Sequence, residues 1–181
     1  MENLVVIKDA TVLSDLNNGR LLEPWFELEI PTIMTDSFIT EIRRDGQEDL
    51  VQRFVDERLI EITGVSDGKA GPWLTEVSKF SMDLGISFAD ATALVCAKER
   101  GAFLLSSYGK MKGRLAGQGI AARGVIWVLD MLLVGELLTF KEALASLENI
   151  QAEGGCIPKR LCARRRNSWK NGKKIGPVGM V

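Results

Sequence analysis

The sequence predicts an α/β protein, a three-layer α/β/α sandwich around a central, mostly parallel sheet. Two observations lead there. Short apolar runs rich in β-branched residues, Leu4-Val5-Val6-Ile7 first and residues 102–106 later, have the composition of strands buried on both faces. Around them stand segments of helical periodicity closed by caps and glycines, and alternating strands and helices build this architecture. At 181 residues the chain has the length of one domain with a sizeable core.

Each element has its own signal. Asp9 follows the first strand at once, and residues 10–16 have helical spacing up to a stop at Asn17-Asn18-Gly19. A second extended run over 26–33 carries Pro31, which predicts an interruption or a place near the sheet edge. Thr35-Asp36-Ser37 supplies capping side chains for a helix over 38–44. Leu50, Val51, Phe54 and Val55 share one face of a helix over 48–57, residues 59–63 alternate as a strand, and Ser66-Asp67-Gly68 marks a turn. From Pro72, the spacing of Leu74, Val77, Phe80 and Ser81 traces a helix that stops at Gly85. Ser87 then caps a helix through Glu99, stopped by Gly101. After the strand over 102–106 come a basic helix over 110–115 and apolar helices over 125–133 and 140–150. Residues 151–158, with Gly154-Gly155 and Pro158, form a connector. Leu161 and Trp169 beyond it leave room for a short amphipathic helix, so the chain divides into a body over 1–150 and a connector with a basic tail over 151–181.

Composition narrows the chemistry. The chain has no histidine, which excludes Ser-His-Asp and Cys-His nucleophiles, an imidazole base and His-ligated metals. All 24 acids lie within residues 1–155 beside 15 of the basic residues, a net charge of −9. Residues 156–181 hold eight basic residues and no acid, a net charge of +8. An acidic body with a basic tail fits a bound cation, a polyanionic partner, a tail docked on the body, or a solvated extension. Cys96 reads as a small core residue, and three cysteines without a leader segment predict a reducing, cytoplasmic setting. The most apolar stretch, 124–138, is broken by Asp130 and Glu136, which makes it a buried helix and not a membrane span.

In parallel α/β sheets ligands sit beyond the carboxyl ends of the strands, which points to Asp9 and to Ser106-Ser107-Tyr108. Three acids matter: Asp9, Glu41 and Asp90. Each has a structural role open to it as well. Asp9 can cap the following helix, Glu41 can lie on a solvated helix face, and Asp90 sits where the partner of a Ser87 capping box would stand.

Taken together they resemble a known family. Val6-Ile7-Lys8-Asp9-Ala10-Thr11-Val12-Leu13 is similar to the opening strand of PIN-domain proteins, an acid followed two residues later by Asn, Ser or Thr. Glu41 matches the second acid of that family. Gly85-Ile86-Ser87-Phe88-Ala89-Asp90-Ala91-Thr92-Ala93-Leu94-Val95, leading into Leu104-Leu105-Ser106-Ser107, resembles its most characteristic part. The resemblance spans residues 4–134 and implies a PIN-like sandwich. It further implies a metal-dependent endoribonuclease, the toxin of a bacterial toxin–antitoxin pair, with RNA as substrate, a cognate antitoxin protein as partner and a possible homodimer.

By that resemblance Asp9, Glu41 and Asp90 hold Mg²⁺ or Mn²⁺ and do the catalysis, supported by Thr11, Ser106 and Ser107. The physics agrees, because two carboxylates about 4 Å apart repel by roughly 4 kcal/mol at an effective dielectric of 20. Such a cluster calls for a hard cation, which can also activate water without histidine. One position departs from the family: Tyr108 stands where a further acid is usual, and a phenol is a poor ligand for a hard cation at neutral pH. The alternative is therefore a catalytically degenerate PIN fold that binds RNA or a protein. A phosphoacceptor role for Asp9 lacks the paired acids that receiver-type domains place there. In the tail, Arg164, Arg165, Arg166 and Lys170 can track an RNA backbone, with Trp169 free to stack on a base. Folding of the tail over the acidic body is the other possibility.

Overall fold

The computed structural model describes residues 4–64, 70–107, 115–155 and 157–175. Its centre is a five-stranded, all-parallel sheet: β1 (Val5–Ile7), β2 (Thr32–Thr35), β3 (Ile60–Thr63), β4 (Phe103–Leu105) and β5 (Ala122–Arg123), in the spatial order β3-β2-β1-β4-β5. The helices are α1 (Ala10–Asn18), α2 (Leu22–Glu27), α3 (Asp36–Arg44), α4 (Asp49–Asp56), α5 (Ala70–Leu84), α6 (Phe88–Arg100), α7 (Val125–Val134), α8 (Phe140–Ala152) and α9 (Lys159–Lys170).

The layers follow from strand alternation. β1 is fully buried, and its side chains leave the sheet on opposite faces. Val5 and Ile7 join a large core with Leu13 and Leu16 of α1, Trp25 of α2, Phe38 of α3 and Trp127 and Leu129 of α7. Val6 joins a second core with Val77 and Phe80 of α5 and Ala91, Leu94 and Val95 of α6. The sandwich is thus an α/β/α arrangement, as the sequence predicts. Cys96 lies in the second core, where burial pushes its thiol up to about 11, so it packs as an inert small hydrophobe.

The 26–33 run departs from expectation. Phe26 belongs to helix α2, which buries Leu22, Trp25 and Phe26 at helical spacing, and the strand begins only after Pro31. Glu29, at φ 53°, turns the chain out of the helix, and the Trp25 indole N–H donates to Thr32 Oγ1 at 3.0 Å across the bend. β2 is also interior, between β3 and β1, and not near an edge. Pro31 costs no ladder bond there, because it contributes its carbonyl, which accepts from Val5 N at 3.0 Å. The two-residue strand β5 has too little sequence to announce itself. The basic helix over 110–115 and the Ser66-Asp67-Gly68 turn lie largely or wholly outside the described residues.

The tail is built into the body. α9 packs on α8, burying Cys162, Arg165 and Trp169 on one helical face at spacings of three and four. Among the described residues no single helix is long and apolar enough to cross a membrane.

Candidate functional site

The carboxyl ends of β1, β2 and β4 bring four helix starts and strand ends together. Asp9 leaves β1 and caps α1, with Oδ1 accepting from Val12 N at 2.8 Å. β4 runs beside β1 in parallel register, so Ser106 and Ser107 arrive next to Asp9. The Ser106 hydroxyl donates to Asp9 Oδ2 at 2.7 Å, the Ser107 hydroxyl to Oδ1 at 3.1 Å, and the Ser107 N–H to Oδ2 at 3.3 Å. Both oxygens of Asp9 therefore accept two hydrogen bonds from uncharged donors. Capping and site roles, open alternatives in the sequence, coincide in one side chain.

Asp90 stands in the first turn of α6. Ser87 caps that helix by accepting from Asp90 N at 3.0 Å, but the reciprocal half of a capping box is not made. The Asp90 carboxylate instead accepts from Lys8 Nζ at 2.5 Å. A buried hydroxyl contact, Thr92 Oγ1 to Thr35 Oγ1 at 3.4 Å, ties α6 to the end of β2, from which α3 carries Glu41. The Glu41 carboxyl is raised above its usual range by burial first and then by the charges of Asp90 and Asp45, with Arg44 and Lys8 pulling the other way. Glu41 is thus a partly desolvated carboxyl that feels the charge of Asp90.

Lys8 is the residue that an inventory of acids misses. Its side chain is 1% exposed, and its ammonium also lies 3.8 Å from Asp9 Oδ2, so it stands between the two aspartates. A sequence signal for it exists. Period-two alternation puts Lys8 on the same face as Val6, which is the α6 face and the side of Asp90. A buried ammonium costs several kcal/mol in lost hydration, so it survives there only against close carboxylates. At an effective dielectric of 20 a pair at 4 Å is worth about 4 kcal/mol, and the 2.5 Å contact to Asp90 is stronger.

The donor set was tested against the divalent ion that such a site suggests. Among the described residues no three acids stand close enough together to hold a metal, so a three-carboxylate cage does not form. Three carboxylates against one ammonium nevertheless leave two negative charges, the complement of one divalent cation. Mg²⁺ needs only one or two carboxylates beside its waters. With Asp9 engaged by four donors, Asp90 and Glu41 are the acids of the three that could hold it.

The other sequence candidates fall elsewhere. Thr11 is exposed on α1 and lines a shallow depression with Ser14, Asp15, Asn18 and Gln47. Tyr108 lies outside the described residues. The expected RNA track on the tail is corrected for two residues. Arg165 is fully buried, its guanidinium gripping Asp130 through Nε and Nη2 at 2.7–3.0 Å. Trp169 is 1% exposed, so its ring packs in the core and cannot stack on a base. Arg164 and Lys170 are exposed, and half-buried Arg166 donates to Gln151 of α8. The tail thus packs on its own body through one face, with Arg165 on Asp130 and not beside Asp9 or Asp90, and leaves Arg164 and Lys170 exposed.

A family model described as a PIN domain matches residues 5–171, which takes in every strand of the sheet and α9. No curated protein and no solved structure matches the chain.

Proposed function

The chain belongs to the PIN-domain family, and from that premise we propose that it is a ribonuclease that hydrolyses RNA phosphodiester bonds with one Mg²⁺ or Mn²⁺. The observation that carries this reading is Lys8 standing between Asp9 and Asp90 at the carboxyl ends of the strands, with Glu41 near enough to feel the charge of Asp90. PIN domains are generally metal-dependent nucleases, and a chain without histidine leaves carboxylates with a metal on oxygen ligands among the routes open to a hydrolase.

Glu41 and Asp90 would hold the ion, which when bound lowers the pKa of a water and neutralises charge on a scissile phosphate. The chain's own residues supply the rest. Ser106 and Ser107 fix the orientation of Asp9, and Asp9 with Lys8 fixes that of Asp90. The Lys8 ammonium keeps a positive charge beside the acids and lessens the repulsion that a phosphate meets on approaching them. By family resemblance the partner is an antitoxin protein that silences the nuclease, and the compartment is the cytoplasm.

The test is cleavage of a fluorescent single-stranded RNA with Mg²⁺ or Mn²⁺, against EDTA and against Asp9→Asn and Asp90→Asn. Metal-dependent cleavage lost in both variants is the expected result. Cleavage that survives both substitutions overturns the assignment of the site. The second reading, a PIN fold that binds RNA without cutting it, is favoured by the lysine standing between the aspartates. RNA binding without cleavage under any divalent ion would decide for it.

A further inference from the structure

We propose that Lys8 stands in for a divalent ion between Asp9 and Asp90, so that this acid pair carries its cation as part of the chain and is closed to metal. The inference deepens the reading of the strand-end carboxylates as the working site, and it limits that site to a single ion.

Three observations carry it. The ammonium occupies the place between the two carboxylates, at 2.5 Å from Asp90 Oδ1 and 3.8 Å from Asp9 Oδ2. The side chain is 1% exposed, sealed on the α6 face of β1, so it has no route by which to swing into water and give up that place. Asp9 has no oxygen left over. Val12 N and the Ser107 hydroxyl take Oδ1, and the Ser106 hydroxyl and Ser107 N take Oδ2. A carboxylate oxygen has about two lone-pair sites, and both are filled on each side.

A lysine and a divalent ion do different work in that place. The ammonium balances charge and holds the aspartates in position whether or not metal is supplied, but it activates no water. An apo site built this way stays formed at low metal concentration. Any ion that binds does so on the open side, through Glu41 and Asp90.

Counting bound Mn²⁺ by equilibrium dialysis or calorimetry tests this without reference to RNA cleavage. Wild-type protein is expected to bind at most one ion at this site. Lys8→Met keeps the length of the side chain without its charge. With the ammonium gone, an arriving ion can turn the Ser106 and Ser107 hydroxyls away from Asp9 and free one lone pair on each oxygen, so this variant is expected to bind one ion more. At Mn²⁺ one hundred times its Kd, that extra ion raises the melting temperature of Lys8→Met by about 5–10 °C beyond any rise in wild type. Lys8→Arg, which retains the charge, is expected to gain no ion. Equal stoichiometry in wild type and Lys8→Met overturns the proposal.

Asp9→Asn provides an arm that leaves Lys8 in place and does not depend on the folding of Lys8→Met. If Asp9 is committed to its hydrogen bonds and to Lys8, Asp9→Asn changes Mn²⁺ affinity by less than threefold. A loss of tenfold or more makes Asp9 a metal ligand and overturns the proposal. A chain that binds no RNA and cuts none leaves these counts readable, so failure of the nuclease reading and failure of this one are distinct results.

Discussion

Arg165→Met isolates the buried ion pair that joins the tail to the body. Arg165 and Asp130 are both 0% exposed, and three hydrogen bonds of 2.7–3.0 Å join the guanidinium fork to the carboxylate. Removing the arginine leaves Asp130 in the apolar interior of α7, among Ile126, Trp127, Leu129 and Leu133. Breaking one side of such a pair costs about 3–5 kcal/mol. For a chain of this size each kcal/mol moves the melting temperature by about 2–4 °C, so a fall of about 6–20 °C is expected. Urea unfolding followed by tryptophan fluorescence reads it directly, because Trp127 and Trp169 flank the pair on their own helices. Asp130→Leu strands the guanidinium and is expected to cost a similar amount. The double variant carries neither charge of this pair, and its expected stability is within about 2 kcal/mol of wild type. If the double variant loses the sum of the two single losses, the charges are not coupled, and packing of Cys162 and Trp169 alone holds α9.

Asp15 on α1 is 3% exposed, and burial, reinforced by the charge of Asp9, raises its carboxyl from the usual carboxylate range to about 6. The folded state holds that proton more tightly than the unfolded chain. Stability from this group is therefore full below about pH 4 and lost as pH rises to about 6, a change of about 3 kcal/mol. Asp15→Asn is expected to exceed wild type in stability at pH 7, with the gap closing below pH 4; an equal gap at both values refutes it. Thr139→Ala removes the α8 capping box, in which Thr139 and Glu142 bond reciprocally, and should cost about 1 kcal/mol by urea denaturation. In the tail Lys159, Arg160, Arg164, Lys170 and Lys173 are exposed and bonded to no acid among the described residues. Five phosphate contacts predict a log-log salt slope of about −3.5 for single-stranded RNA, and a slope near −5.6 would require all eight basic residues to engage.

What the sequence discloses is whatever short-range chemistry determines. β1 and β4 are legible because strands buried on both faces must be continuously apolar, and α6 because Ser87 and Gly101 mark both its ends. The 26–33 run misleads because its apolar residues serve two elements: Phe26 completes a helical stripe with Leu22, and Ile33 begins a strand. Of the two readings of Pro31, an interruption or a place near the edge, the interruption is the one found: the strand starts just after it, in the sheet interior. β5 is defined by pairing with β4 and by little in its own two residues. At the site, the adjacency of Asp9 to Ser106 and Ser107 is legible from the strand-end rule, whereas the approach of Asp90 to Lys8 depends on which face of β1 meets α6.

Two basic residues turned inward account for most of what charge counting misjudges. Arg164, Arg165 and Arg166 are alike in composition, yet consecutive helical residues are about 100° apart, so one of three must face the body if α9 docks. The phase set by Cys162 and Trp169 selects Arg165. Lys8 is the same case one residue past β1, where the alternation of the strand carries on to one face, and the acid waiting on that face is Asp90. In both places a cation in the interior is tolerable only because a carboxylate from a distant segment meets it, so each contact reports the fold as much as it stabilises it. The consequence for function is specific to Lys8. On the proposed reading, the internal ammonium already balances one of the two charges of Asp9 and Asp90 before any metal arrives.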